Sequence, residues 1–112
     1  MFIFAGILNK NTVIALDCEM VGIGSNGRDH MLARVSIVSD KGEIIMDKYV
    51  KPTQMVIDYR TQYSGITPSH LINAHDFSEV QAEVIRIKMN RTLVGHALHN
   101  DLKVLKLEHP KR

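Results

Sequence analysis

The stretch ALDCEMVG, residues 15–22, decides how this chain is read. Apolar positions run into two acids, Asp17 and Glu19, separated by one residue. Isolated carboxylates are costly to bury unless they are paired, protonated or bound to a metal. The surrounding segment TVIALDCE (12–19) is short, β-branched and apolar, which predicts a strand. Alternation puts Val13, Ala15, Asp17 and Glu19 on one face and Ile14, Leu16 and Cys18 on the other. Apolar residues on both faces as far as Asp17 predict a central strand with the acids at its C-terminal end.

The elements that follow give this strand its neighbours. GIGSNGRDH (22–30) is polar and glycine-rich and predicts a loop. ARVSIVSD (33–40) and EIIMDKYV (43–50) read as two further strands, joined at the short DKG turn as a hairpin. VKPTQMVIDYRTQYSGITPSH (50–70) reads as a long loop without periodicity, a pattern that is often functional. DFSEVQAEVIRIKMN (76–90) predicts a helix, with Phe77, Val80, Val84 and Ile87 as its apolar stripe and Asp76 with Glu79 as a capping box. RTLVGH (91–96) predicts a short strand. HNDLKVLK (99–106) opens a second helix, with Asn100 as N-cap and Asp101 in the first turn. The order β-β-β-α-β-α predicts an α/β fold, a mixed sheet in which a helix joins strands able to pair in parallel.

The bulk properties bound the function. The 112 residues are 45% hydrophobic with a net charge of +2, which suits one small globular domain and permits a polyanionic partner without requiring one. Cys18 is the only cysteine, so no internal disulfide is possible and no disulfide-linked partner is expected. The apolar start MFIFAGIL (1–8) is far short of the ~20 residues a bilayer requires. It also lacks the positive region of a secretory signal. It predicts an extra strand or a loose end packed on the sheet, and no membrane partner.

Asp101, at a strand-to-helix junction, joins Asp17 and Glu19 beyond the C-terminal ends of strands, where open α/β sheets bind ligands. Three converging carboxylates suit a hard cation such as Mg²⁺ or Mn²⁺. Taken singly, the acids fit a solvated strand end equally well, and Asp101 fits complementation of a helix dipole worth about 0.3–1 kcal/mol. The six histidines form no HExxH, and with no cysteine pair a zinc site is not indicated. There is no GxSxG for a hydrolase triad. Cys18 points away from the acids and reads as a small buried hydrophobe.

In order along the chain, ALDCEMVG, ARVSIV, DKYVKP, DYRT, SGI and LVGHALHNDLKVL resemble the DEDD 3′–5′ exonucleases of the DEDDh type, and within them the RNA exonuclease 4 group of nuclear, nucleolar enzymes. The resemblance spans about residues 12–110. It implies a ribonuclease H-like mixed sheet flanked by helices, and two-metal hydrolysis releasing 3′-terminal nucleotides. An exonuclease domain would occupy 12–112, behind a divergent segment 1–11. By position, Asp17, Glu19 and Asp101 match the catalytic, metal-binding acids. Asp17 would bridge two ions roughly 3.5–4 Å apart, with Glu19 on one and Asp101 orienting a metal-bound water or completing the shell. Met20 matches a residue of the terminal-nucleotide pocket, which His96 and Asn100 would also line. Arg60 matches an arginine near the substrate backbone. The implied cofactor is Mg²⁺ or Mn²⁺ and the implied partners are 3′ ends of single-stranded RNA or DNA. The implied setting is rRNA processing and ribosome biogenesis in the nucleus, and within it the nucleolus. The family carries a third motif downstream, with a general-base histidine and a fourth acid. This sequence reaches Arg112 before any such motif, so the expected fold lacks its C-terminal part and the expected activity is small. The alternative is an inactive fragment that binds nucleic acid or metal weakly at most.

Overall fold

The computed structural model describes residues 13–110. The strand or loose end expected of residues 1–8 lies outside them. Strands β1 (Val13–Ile23), β2 (Asp29–Ser39) and β3 (Ile44–Tyr49) form an antiparallel meander, and β4 (Thr92–Val94) pairs in parallel with β1. The sheet order β3-β2-β1-β4 makes β1 central, as the sequence predicts. Helix α2 (Phe77–Lys88) carries the chain from one edge of the sheet to the other, and helix α3 (Leu98–Leu105) follows β4.

The first hairpin is longer than expected. Residues 22–30 read as a loop, yet Gly22 pairs with His30 and Ile23 with Asp29. Only the tip turns, through a 3₁₀ turn at Ser25–Gly27 with Asn26 in the left-handed region at φ 56°. Local polarity signals a loop, but strand pairing overrides it: β1 and β2 resume pairing past a bulge between Glu19 and Met20 and stay paired as far as Ile23 and Asp29. The long loop 50–70 is also more ordered than expected. It contains a one-turn helix α1 (Thr61–Ser64), enters a 3₁₀ turn (Pro68–Leu71), and is bridged to β1 at Gly22↔Asp58.

Two helix starts differ from expectation. Asp76 flanks α2 but makes no side-chain cap bond. Its carboxylate lies 3.5 Å from the Lys51 ammonium, a charged partner that competes with the helix N–H groups. Helix α3 begins at Leu98 after Ala97, so Asn100 is not its N-cap and lies within the first turn, where its N–H donates to the Ala97 carbonyl.

The core lies on one face of the sheet. Ile14, Leu16 and Cys18 of β1 pack with Val35, Ile37 and Met46, covered by Val80 and Val84 of α2 and Leu105 of α3. The stripe of α2 is the one the sequence shows, with Phe77 and Ile87 packed at its margins. Each such side chain contributes roughly 1.5–3 kcal/mol by leaving water. A smaller cluster covers the far end of the opposite face, where Val21, Ile23 and Ala33 meet Ile66 and Leu71 from the ordered loop.

Candidate active site

The acids are assembled by three local features. Asp17 and Glu19 project from β1 on the face opposite Leu16 and Cys18, Asp17 exposed and Glu19 half-buried. Strand β4 pairs only with Val13–Ala15 of β1, so from Leu16 until the Asp58 segment bridges Gly22 the edge of β1 has no strand beside it among the described residues. Gly95 turns the chain across that edge. A Cβ there would lie 2.7 Å from the Leu16 carbonyl oxygen, so the backbone approaches only as glycine. Helix α3 then starts, and its first turn brings Asp101 to the free edge, where its carboxylate accepts the Cys18 backbone N–H. The third acid thus reaches the strand from its edge rather than from either face.

Asp101 is only 5% exposed, and its buried Oδ2 has no hydrogen-bond partner among the described residues. Burial pushes its carboxyl up to about 6, Asp17 and Glu19 add to the rise, and the Cys18 N–H and His96 oppose it. Burial and then Asp17 also raise Glu19, while Arg34 across the strand pair pulls it back. Arg34 itself is held by a bidentate pair to Asp47, at 2.8 and 2.7 Å. The Cys18 thiol is driven up by burial and by all three acids, which keeps it neutral and fits its reading as a small hydrophobe.

The carboxylates therefore share one field, and a buried oxygen among them lacks a partner. That chemistry fits a hard divalent cation, which takes oxygen ligands and relieves the mutual repulsion. Among the described residues, no three His, Cys, Asp or Glu side chains already stand close enough to grip an ion. The site supplies the donors and the charge without a closed cage.

Beside the acids lies an open cleft of about 560 Å³. Met20 and Asn100 line it, together with Phe77, Arg28, Lys103 and Lys106. The acids are not among its lining residues, because strand alternation turns Met20 to the face opposite Glu19. His96 is exposed and close enough to Asp101 to influence its charge. Arg60 is elsewhere, with its guanidinium on the tip of the first hairpin. The sequence reading missed the cleft's cations. Lys103 follows Asn100 by one turn of α3, which puts the two on one side of the helix, and Lys106 caps the end of α3 in the left-handed region, φ 58°.

A family model of exonucleases, RNase_T, matches residues 14–112. The chain belongs to this exonuclease family. It is 59% identical over 99 residues to RNA exonuclease 4 of Xenopus tropicalis, and 58% identical over 99 residues to RNA exonuclease 4 of Homo sapiens. Both alignments cover 88% of this chain and 24% of the relative, so the chain spans about a quarter of the length of these curated relatives. Among solved structures it is similar to the Saccharomyces cerevisiae Pan2 UCH-Exo module in complex with AAGGA RNA, at 30% identity and a TM-score of 0.76, over 89% of this chain and 20% of that one. The fold shared with that exonuclease module is the ribonuclease H-like one, and the family's nuclease chemistry rests on divalent metals.

Proposed function

We propose that this chain is the part of a 3′–5′ exonuclease that holds three of its catalytic acids, acting on single-stranded RNA and serving rRNA processing in the nucleus and nucleolus. The observation that carries the reading is the buried, unpartnered Oδ2 of Asp101 standing in the field of Asp17 and Glu19. A fold does not maintain such a carboxylate for stability, because an unsatisfied buried group costs about 1–3 kcal/mol. Perturbed acids of this kind mark functional sites.

Asp17, Glu19 and Asp101 are the residues that would hold Mg²⁺ or Mn²⁺, as one or two ions. A divalent cation there would supply charge stabilisation at the phosphoryl group undergoing displacement. The chain's own residues do the rest. The strand fixes Asp17 and Glu19 on one side of the β1 edge, and α3 fixes Asp101 at the edge itself. Met20 and Asn100 offer an apolar wall and an amide to the terminal nucleotide, His96 borders Asp101, and Lys103 and Lys106 offer charge to the backbone.

The experiment is a time course with the intact protein on single-stranded RNA and DNA of equal sequence, labelled at the 5′ end, with Mg²⁺, Mn²⁺ or EDTA. A ladder shortening from the 3′ end, faster on RNA and abolished by EDTA, is expected. Binding without shortening in every metal would replace the enzyme with a nucleic-acid-binding module. Equal rates on DNA would remove the RNA assignment. A tagged form of the intact protein is expected in nucleoli, and exclusion from the nucleus would remove the rRNA setting.

A further inference from the structure

The β1–β2 hairpin projects beyond the sheet, and its tip is not left to itself. Its return strand contributes Arg28, Asp29 and His30 to the cleft that also holds Met20 and Asn100. Across the tip runs the segment 56–60, joined to Gly22 by three backbone bonds: the Gly22 N–H to the Asp58 carbonyl at 2.6 Å, and the N–H groups of Ile57 and Asp58 to the Gly22 carbonyl at 2.8 and 3.1 Å. Arg60 ends this segment in the left-handed region, φ 52°, with its own N–H on the Asp58 carboxylate at 2.9 Å. That unusual backbone aims its guanidinium back under the hairpin. Nη2 donates to the Gly27 carbonyl at 2.9 Å and lies 3.4 and 3.5 Å from the carbonyls of Asp29 and Arg28. Nη1 lies 2.7 Å from His30 Nδ1, which accepts from the permanently charged guanidinium. A side chain on Gly22 would collide with the Gly27 carbonyl and come within 3.2 Å of Arg60 Nε, so the glycine clears the space the guanidinium occupies.

We propose that Arg60 is a positioning residue: its guanidinium pins the tip of the first hairpin and thereby fixes the wall of the cleft formed by Arg28, Asp29 and His30. A planar fork satisfying several carbonyls at once is a task for arginine and not for lysine, whose ammonium is a single point of charge. Arg60 then acts on the nucleic acid through the hairpin rather than by holding a phosphate. The proposal rests on the cleft being the nucleic-acid site of the proposed exonuclease.

The test compares Arg60→Ala, Arg60→Lys and wild type in the intact protein. Amide hydrogen exchange is followed without ligand, binding of a single-stranded RNA oligonucleotide in EDTA, and kcat and KM with metal. Expected are faster exchange at residues 24–31 in both variants and roughly tenfold weaker binding in both, the scale of losing hydrogen bonds to a charged group. KM rises while kcat stays near wild type. Weaker binding with unchanged exchange, or recovery of binding by lysine, would make Arg60 a direct phosphate contact and overturn the proposal. Faster exchange with unchanged binding would overturn it equally, because the tip would then have no bearing on the cleft. If Arg60→Ala does not fold, His30→Ala removes one of the bonds alone and must still raise exchange at the tip. Exchange and binding in EDTA are read without hydrolysis, so absence of nuclease activity would count against the proposed function and leave the outcome for Arg60 separate.

Discussion

The two faces of β1 follow opposite rules within the same run of residues. Ile14, Leu16 and Cys18 are buried beneath two helices, while Val13 and Ala15 stay half-buried and Asp17 is exposed. Val13 and Ala15 make both faces of this stretch apolar, yet among the described residues helices cover only one of them. The covered face carries stability, and the open face with the free edge carries charge that nothing in the core repays. The proposed site lies where β1 loses β4: beyond Ala15 there is no β4 to pair with, and Asp101 enters there.

The largest expected effect lies on the charged side. Asp17→Asn leaves the core untouched and should lower exonuclease activity by about 10³-fold or more, since loss of metal charge stabilisation amounts to several kcal/mol. Melting in EDTA should hardly change. A variant that keeps its rate would break the assignment of the open face to chemistry.

Leu16→Ala, one residue away on the covered face, should do the reverse. A cavity at a side chain 2% exposed costs about 2–5 kcal/mol, read by urea denaturation. Val38→Ala, half-buried on the open face, should cost about 1 kcal/mol or less. Equal costs would mean that both faces are packed in solution.

The pH dependence sharpens the contrast. Asp101 is raised from 3.8 to about 6, so between those values the folded protein keeps a proton that the unfolded chain releases. Stability in EDTA is then present below about pH 4 and falls as pH rises through 6, by on the order of 3 kcal/mol from Asp101, with Glu19 adding in the same direction. Asp101→Asn should flatten this slope and raise the melting temperature near pH 7 while abolishing activity. Mn²⁺ should stabilise the wild type above pH 6 and not below pH 4, where the raised Asp101 and Glu19 hold their protons. A melting temperature that rises with pH in EDTA would refute the shared field of acids.

The smallest effect is expected at Arg34, whose pair with Asp47 is about a third exposed on each side. Arg34→Ala should cost at most about 1 kcal/mol by chemical denaturation. A larger loss would show that the open face has a structural network of its own.

What the sequence made legible follows from these same forces. Periodicity exposed the α2 stripe, because Val80 and Val84 must face the core. The acids of β1 were legible because strand alternation is fixed at two. The hairpin tip was not, because its pairing depends on partners across the strands and its polar residues carry no local strand signal. Asn100 as N-cap failed since Ala97 turns the chain earlier, a backbone choice no side-chain rule announces. The split between cleft and acids was equally invisible, because Met20 and Glu19 adjoin in sequence and diverge in space. The edge position of Asp101 depends on β4 being only three residues long.

That edge contact has a consequence for when the site comes into being. The Cys18 N–H and the Asp101 carboxylate belong to opposite ends of the described chain, and the link between them closes only after the meander, the crossover helix and β4 are in place. Contacts so distant along the chain are formed late and limit the folding rate. A nascent chain folded through β3 alone holds two of the acids and lacks the third. Assembly of the three proposed acids therefore reports the arrival of β4 and α3.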